Sequence, residues 1–118
     1  NESNRVMKDV NQYLKGNPVV EKFITELNQT ISTYYQQHLP GLTFEPVKVT
    51  VGNKFIAISH NDSRWGFISR FDGTFKGAPI RKGDLMKAAT WAQPAKHSRG
   101  NITDGTARYG VYGPDYLR

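Results

Sequence analysis

The residues with the most chemical character lie in RKGDLMKAATWAQPAKHSRGN, from Arg81 to Asn101. Here Arg81, Lys82, Lys87, Lys96 and Arg99 stand with His97 around one tryptophan, Trp91, against a single carboxylate, Asp84. Ammonium and guanidinium groups neutralise phosphates and an indole stacks on a base, so this combination is the chemistry of a surface that holds a nucleic-acid strand. Lys76 extends the run on its N-terminal side. The expected contact set is Lys76, Arg81, Lys82, Lys87, Trp91, Lys96, His97 and Arg99, with the cations on phosphates and Trp91 as the stacking residue.

Other chemistries find less material. His38, His60 and His97 are the only histidines, no two of them at the three- or four-residue spacing that puts ligands on one helical face. The chain has no cysteine, which removes disulfides, thiol catalysis and thiolate zinc sites together. There is no GxSxG elbow for a nucleophilic serine, and GAPIRKGD lacks the spacing of a phosphate-binding P-loop. The ten carboxylates make no pair suited to acid/base work, and Asp72 and Asp84 adjoin glycines as turn formers do. The expectation is a binding module rather than an enzyme, with no catalytic residues, no metal and no cofactor.

The charge balance points the same way. The net charge is +6 over 118 residues, with four Lys/Arg against five Asp/Glu in residues 1–46 and twelve against five in residues 47–118. All of the positive excess lies in the second part, as expected of a partner that is nucleic acid (single-stranded DNA or RNA) or an acidic protein surface. No apolar run approaches the roughly 18–20 residues of a membrane span, and the polar start NESNRVMKDV does not read as a signal peptide, so no membrane partner is expected. Absence of cysteine fits a cytoplasmic protein. The triplets beginning at Asn28, Asn61 and Asn101 match the glycosylation pattern and are read as chance.

The elements that must carry these residues can be read from period and punctuation. Val6, Val10 and Leu14 lie four apart over Arg5–Lys15, with Met7 beside them, and predict a short helix stopped by Gly16. Asn17-Pro18 then opens a longer helix from Pro18 to about His38, with an apolar stripe of Val20, Ile24, Leu27, Ile31 and Tyr34 backed by Phe23 and Tyr35. After Gly41 the period falls to 2. Val47, Val49 and Val51 form one face of a first strand, Gly52-Asn53 turns, and Lys54–His60 returns as a central strand. Arg64–Phe71 is the third strand, with Trp65, Phe67 and Phe71 assigned to one face and Arg64, Ile68 and Arg70 to the other. Asp72-Gly73 reads as the next hairpin turn, and Leu85–Thr90 as a closing strand. From Trp91 on, Pro94, Gly100, Gly105, Gly110, Gly113 and Pro114 predict irregular chain, with Tyr109, Val111, Tyr112, Tyr116 and Leu117 packing back on the domain. The architecture expected is a single α+β domain over 1–118: a helical part at 1–40, an antiparallel meander of three to five strands at 41–90, and a loop-rich basic and aromatic tail at 91–118.

Two stretches resemble known proteins. SRWGFISR is similar to the central motif of cold-shock and RNA-recognition domains, which presents rings to bases from a sheet. The match is partial: Ser63 stands at the basic position, Arg64 at a glycine and Arg70 at the closing aromatic, and the order of elements fits neither fold, so no residue role is carried over. FISRFDG, GDLMKAATWAQPAKHSRGNI and the terminal YGPDYLR together resemble a group of small phage-encoded proteins, from about Trp65 onward. TFKGAPIRK stands where that group leads one to expect a shorter turn. The resemblance implies a viral origin and a place in the host cytoplasm or the virion, with no particular activity. It also supports a second expectation, a protein–protein component such as a virion part or an inhibitor of a host protein, in which Trp91 and the tail tyrosines anchor an interface.

Overall fold

The computed structural model describes residues 9–116. The start of the first helix expected at Arg5, with Val6 and Met7, and the tail residue Leu117 lie outside them. Asp9 caps α1 (Val10–Lys15), its carboxylate accepting the Gln12 N–H at 3.0 Å, and Gly16 ends it. Helix α2 runs from Pro18 to His38, as the spacing predicts, and buries Phe23, Ile24, Leu27 and Ile31. Proline at its first position gives up only an N–H that has no partner within the helix.

Among the described residues nine short strands follow: β1 (Lys48–Val51), β2 (Phe55–His60), β3 (Ser63–Ser69), β4 (Gly73–Phe75), β5 (Ala78–Ile80), β6 (Asp84–Ala88), β7 (Pro94–Asn101), β8 (Tyr109–Gly110) and β9 (Gly113–Pro114). Five of them build one antiparallel sheet in the order β1-β2-β3-β6-β7, so the fold is α+β with the helices leading. Helix α2 covers one face, packing on Val51, Ile56, Ile58, Ile68 and Leu85. The β4–β5 hairpin is an insertion between β3 and β6, and its Phe75 and Ile80 close the other face over Phe55, Phe67 and Met86. The sheet is therefore buried on both sides, which explains why β2 and β3 read as nearly continuous apolar runs.

Three expectations change. Trp65 and Phe67 do not share a face. The register of β2 against β3 shifts between Ile58 and Ser59, so Trp65 bulges from β3; it packs with the helix-side core, while Phe67 and Phe71 belong to the opposite cluster. A bulge inserts one residue and breaks the period of 2 on which the assignment rested. Neither ring is presented to solvent as in a cold-shock or RNA-recognition motif, since Trp65 and Phe67 are each 4% exposed. Second, Asp72-Gly73 is not the turn of a two-residue hairpin. The turn is Lys76-Gly77, both at positive φ (52° and 82°), while the Asp72 carboxylate accepts the Lys82 N–H at 2.9 Å. Third, the stretch after Trp91 is not irregular throughout. Pro94–Asn101 is β7, the outer strand beside β6. Its proline is at the first strand position and its exposed Lys96 and His97 sit on an edge, where both residue types guard against further pairing.

The tail then packs back. The Trp65 indole N–H donates to the Val111 carbonyl at 3.1 Å, and Tyr109 meets Phe23 and Trp65 edge-on. Strand β9 crosses β3 at Gly66, where a Cβ would stand 2.9 Å from Pro114 Cγ and 3.0 Å from the Met86 carbonyl oxygen. The glycine of the RWGF stretch is thus required by close packing of the tail on the sheet.

Candidate functional site

The β6–β7 ladder carries most of the residues expected to act, and it distributes them to opposite ends. At the Asp84 end the chain builds a buried polar knot. Asp84 is 4% exposed and Asn101 1%. The Asn101 side-chain amide donates to Asp84 Oδ1 and to the Lys82 carbonyl, both at 2.9 Å, and its oxygen accepts the Thr103 N–H at 2.7 Å. The Arg81 N–H donates to Asp84 Oδ2 at 2.8 Å. Asn101 N–H is taken by Thr106 Oγ1, and Thr106 in turn holds the Asp104 carboxylate with its hydroxyl and its own N–H. Those Thr106 hydrogen bonds, chiefly the side-chain one, and then Arg81 hold the Asp104 carboxyl below the usual carboxylate range. Among the described residues no buried side-chain polar atom lacks a partner. A satisfied buried network of this kind fixes geometry and leaves little capacity for a ligand.

Backbone requirements reinforce the knot. Gly100 has φ +96°, and a Cβ there would stand 2.0 Å from the Thr106 carbonyl oxygen. Gly83 has φ +91°, with its would-be Cβ 2.8 Å from Asn101 Oδ1. Arg99 is 6% exposed, donating from Nε to the Asp115 carbonyl at 3.0 Å and from Nη1 to the His97 carbonyl. Burial first, and then the charge of Arg108, pushes its pKa down, though a guanidinium stays protonated at physiological pH. The expectation that Arg99 contacts phosphate is corrected: its hydrogen bonds staple β7 to the tail. Asn101 is likewise too buried to accept a glycan.

The other end of the ladder is open. Trp91, in the turn from β6 to β7, is 56% exposed. Its ring lies against the guanidinium of Arg64, 3.9 Å from Cζ to the ring centroid, and Arg64 Nε donates to the Trp91 carbonyl at 2.8 Å. Thr90 Oγ1 takes the N–H groups of Ala92 and Gln93 and so fixes the turn. The same guanidinium lies over Phe67 at 5.3 Å, so the platform rests on the buried aromatic cluster beneath. Burial pushes the Arg64 pKa down without removing its charge.

The remaining expected residues divide. Lys76 reaches this end, with Nζ 3.3 Å from the Pro94 carbonyl. Lys96 and His97 are exposed along β7. Lys87 is turned to the tail, donating to the Pro114 carbonyl at 3.0 Å with its Nζ 4.0 Å from the Tyr116 ring centroid. Arg81 is paired with Asp104 at 3.3 Å, and Lys82 is exposed at the knot end. Strand β6 spans four residue steps, about 13 Å at ~3.3 Å each, so Lys82 and Trp91 do not form one patch. The structure brings together Trp91 and Lys76, adds Arg64, and leaves Arg81, Lys82, Lys87 and Arg99 elsewhere. Arg64 was left out of the expected set because it lies in a strand well before the basic run. Its signal was an arginine on the wet position of a strand that otherwise reads apolar.

On the helix side of β3, near the same end of the sheet, lies a cavity of about 190 Å³. Tyr34 and Tyr35 of α2 and Tyr112 of the tail wall it, Trp65 lies at its base, and His60, Asn61 and Ser63 contribute polar groups. The hydroxyls of Tyr34 and Tyr112 are 3.0 Å apart, an interaction that is the main cause raising the Tyr112 pKa. Asn61 donates to the Tyr35 hydroxyl at 3.3 Å. His60 Nε2 is 3.0 Å from the Glu45 carbonyl oxygen; a carbonyl only accepts, so this nitrogen is the donor. Among the described residues no cluster of three or more His, Asp or Glu could hold a metal ion, and no helix is long and apolar enough to cross a membrane. No protein-family model matches this chain, and neither does any curated protein or solved structure.

Proposed function

We propose that the protein is a binding module that holds a nucleic-acid strand at the Trp91 end of the β6–β7 ladder. The observation that carries this reading is the Arg64–Trp91 platform. An indole that is 56% exposed adds little to a core, yet here a guanidinium, a backbone hydrogen bond and a threonine-bound turn hold it in place. A pre-positioned ring loses little freedom when a base stacks on it, and the arginine beneath carries the charge a neighbouring phosphate needs. Lys76 supplies a second cation at this end, and Lys96 and His97 extend it along the edge strand.

The test is a fluorescence titration with a short single-stranded oligonucleotide at low and near-physiological salt. Trp91 is the exposed tryptophan, so its quenching should report contact at the platform, and Trp91→Ala should bind more weakly. Binding should weaken steeply with salt, because released counterions drive it. No binding by the wild type at either salt would sink the reading.

The second reading, a protein–protein component, rests on Tyr112 and Tyr116, which are 81% and 78% exposed on the tail. Exposed tyrosines are common interface anchors. It calls for a defined oligomer or a specific partner whose affinity is little affected by salt. The phage origin implied by the resemblance of the C-terminal half suits both readings, with the host cytoplasm or the virion as the setting.

A further inference from the structure

The cavity on the helix side of β3 is not part of the Trp91 platform, and its lining specifies a ligand class. Among the described residues none of the side chains around it is a lysine, arginine or carboxylate, so it suits an uncharged group. Its walls are aromatic and its rim offers both donors and acceptors: the Asn61 amide, the Ser63 hydroxyl, the tyrosine hydroxyls and the imidazole of His60. Pockets for drug-sized molecules run to about 300–1,000 Å³, so 190 Å³ suits a single ring system. A small, flat, uncharged ring with hydrogen-bonding edges is the description of a nucleobase.

Position along β3 links the cavity to the platform. Successive strand residues point to opposite faces, and Ser63 and Trp65 line the cavity while Arg64, between them, turns to Trp91. One residue of strand therefore separates a cation that can meet a phosphate from a cavity that can take a ring. The β2–β3 turn between them is short, with Asn61 at φ +53° giving the tight reversal, so a strand crossing it meets both features in succession.

We propose that this cavity receives one unpaired base of the strand held at Arg64–Trp91, which makes the protein a reader of single-stranded nucleic acid rather than of duplex. The inference rests on the proposed function, and the test separates the two. A base inside a duplex is stacked and paired and cannot enter without being flipped out.

Three probes serve: a short single-stranded oligonucleotide, its blunt duplex, and an abasic phosphodiester of the same length. Two variants address the cavity, Tyr112→Ala, which removes an exposed wall, and Ser63→Phe, which fills the mouth; Trp91→Ala addresses the platform. Expected are about a tenfold loss of single-strand affinity in each cavity variant, the range found for one stacked base, with no change toward the abasic chain, and weaker binding of duplex by the wild type. Single-strand binding that both cavity variants retain while Trp91→Ala loses it would overturn the cavity and leave the platform standing. Equal affinity of the wild type for duplex and single strand would also overturn it. Absence of binding to all three probes would remove both proposals. Circular dichroism of each variant separates lost folding from lost binding.

Discussion

The two ends of the β6–β7 ladder are made from one stretch of sequence and have opposite fates. At one end Gly83-Asp84 meets Arg99-Gly100-Asn101, and Asp84, Arg99 and Asn101 are each turned inward on a partner. At the other end Trp91 is held by the fold over the half-buried Arg64 but faces water. Both ends are rich in the same residue types, so composition cannot tell them apart. What separates them is pairing. Asp84 has a buried amide opposite it in β7. Trp91 lies in a turn beyond the last paired residues, Ala88 and Pro94, and is exposed. Eight residues of β7 run beside five of β6, and the surplus is taken up in two register shifts that leave Lys96 and His97 exposed. A basic run can thus be a structural staple at one position and an open surface a few residues away.

The largest effect should come from Gly100→Ala. The positive φ and the Thr106 carbonyl at 2.0 Å leave no room for a methyl group, and a shift there breaks the Asn101 network. A loss of about 3 kcal/mol or more in chemical denaturation is expected, with oligonucleotide binding lost only as far as the protein unfolds. Trp91→Ala should show the reverse profile, with stability within about 0.5 kcal/mol of wild type and binding impaired. If Trp91→Ala destabilises as strongly as Gly100→Ala, the division into a structural end and an open end is wrong.

Paired lysine variants sharpen the comparison at intermediate size. Lys96→Ala, on the edge strand, should reduce the slope of log affinity against log salt by about 0.7, the value for one single-strand phosphate contact. Lys82→Ala, at the knot, should leave it unchanged. Equal loss in both would mean that the strand runs the length of the ladder.

The smallest effect is a pH dependence. Thr106 and Arg81 lower the folded pKa of Asp104 beneath its unfolded value of about 3.9. A depressed carboxyl stabilises above the unfolded pKa and loses that contribution as pH falls through the folded one. Asp104→Asn should therefore be less stable than wild type at neutral pH by a margin that stays level down to about pH 5 and narrows below about pH 4. A margin that persists at lower pH would mean that the carboxylate charge is not what Asp104 contributes.

Much of the fold was legible. Pro18–His38 appears with the bounds its caps and stripe predicted, because one amphipathic face at a period of 3.6 has a single way to be buried. Asp84–Ala88 is a strand, as the preceding meander suggested. The site was legible only in part. Trp91 and Lys76 stand out by residue type, whereas Arg64 and the cavity tyrosines come from elements far apart in the chain and are brought to that end of the sheet by the fold. Arg99 was misassigned because an arginine in a Gly- and Lys-rich stretch looks exposed until the Asp115 carbonyl is placed 3.0 Å from it.

Local pattern was enough for the two leading helices, the first three strands, β6 and the excess of positive charge in the second part of the chain. These follow from local period, turn chemistry and composition, which need no knowledge of what lies opposite. The assembled fold was needed to show which basic residues face water, that the Trp65 bulge sends Trp65 and Phe67 to opposite sides, and that Arg64 comes to rest under Trp91. Each of those depends on a partner distant in sequence, and burial and hydrogen bonding are properties of the pair rather than of either residue.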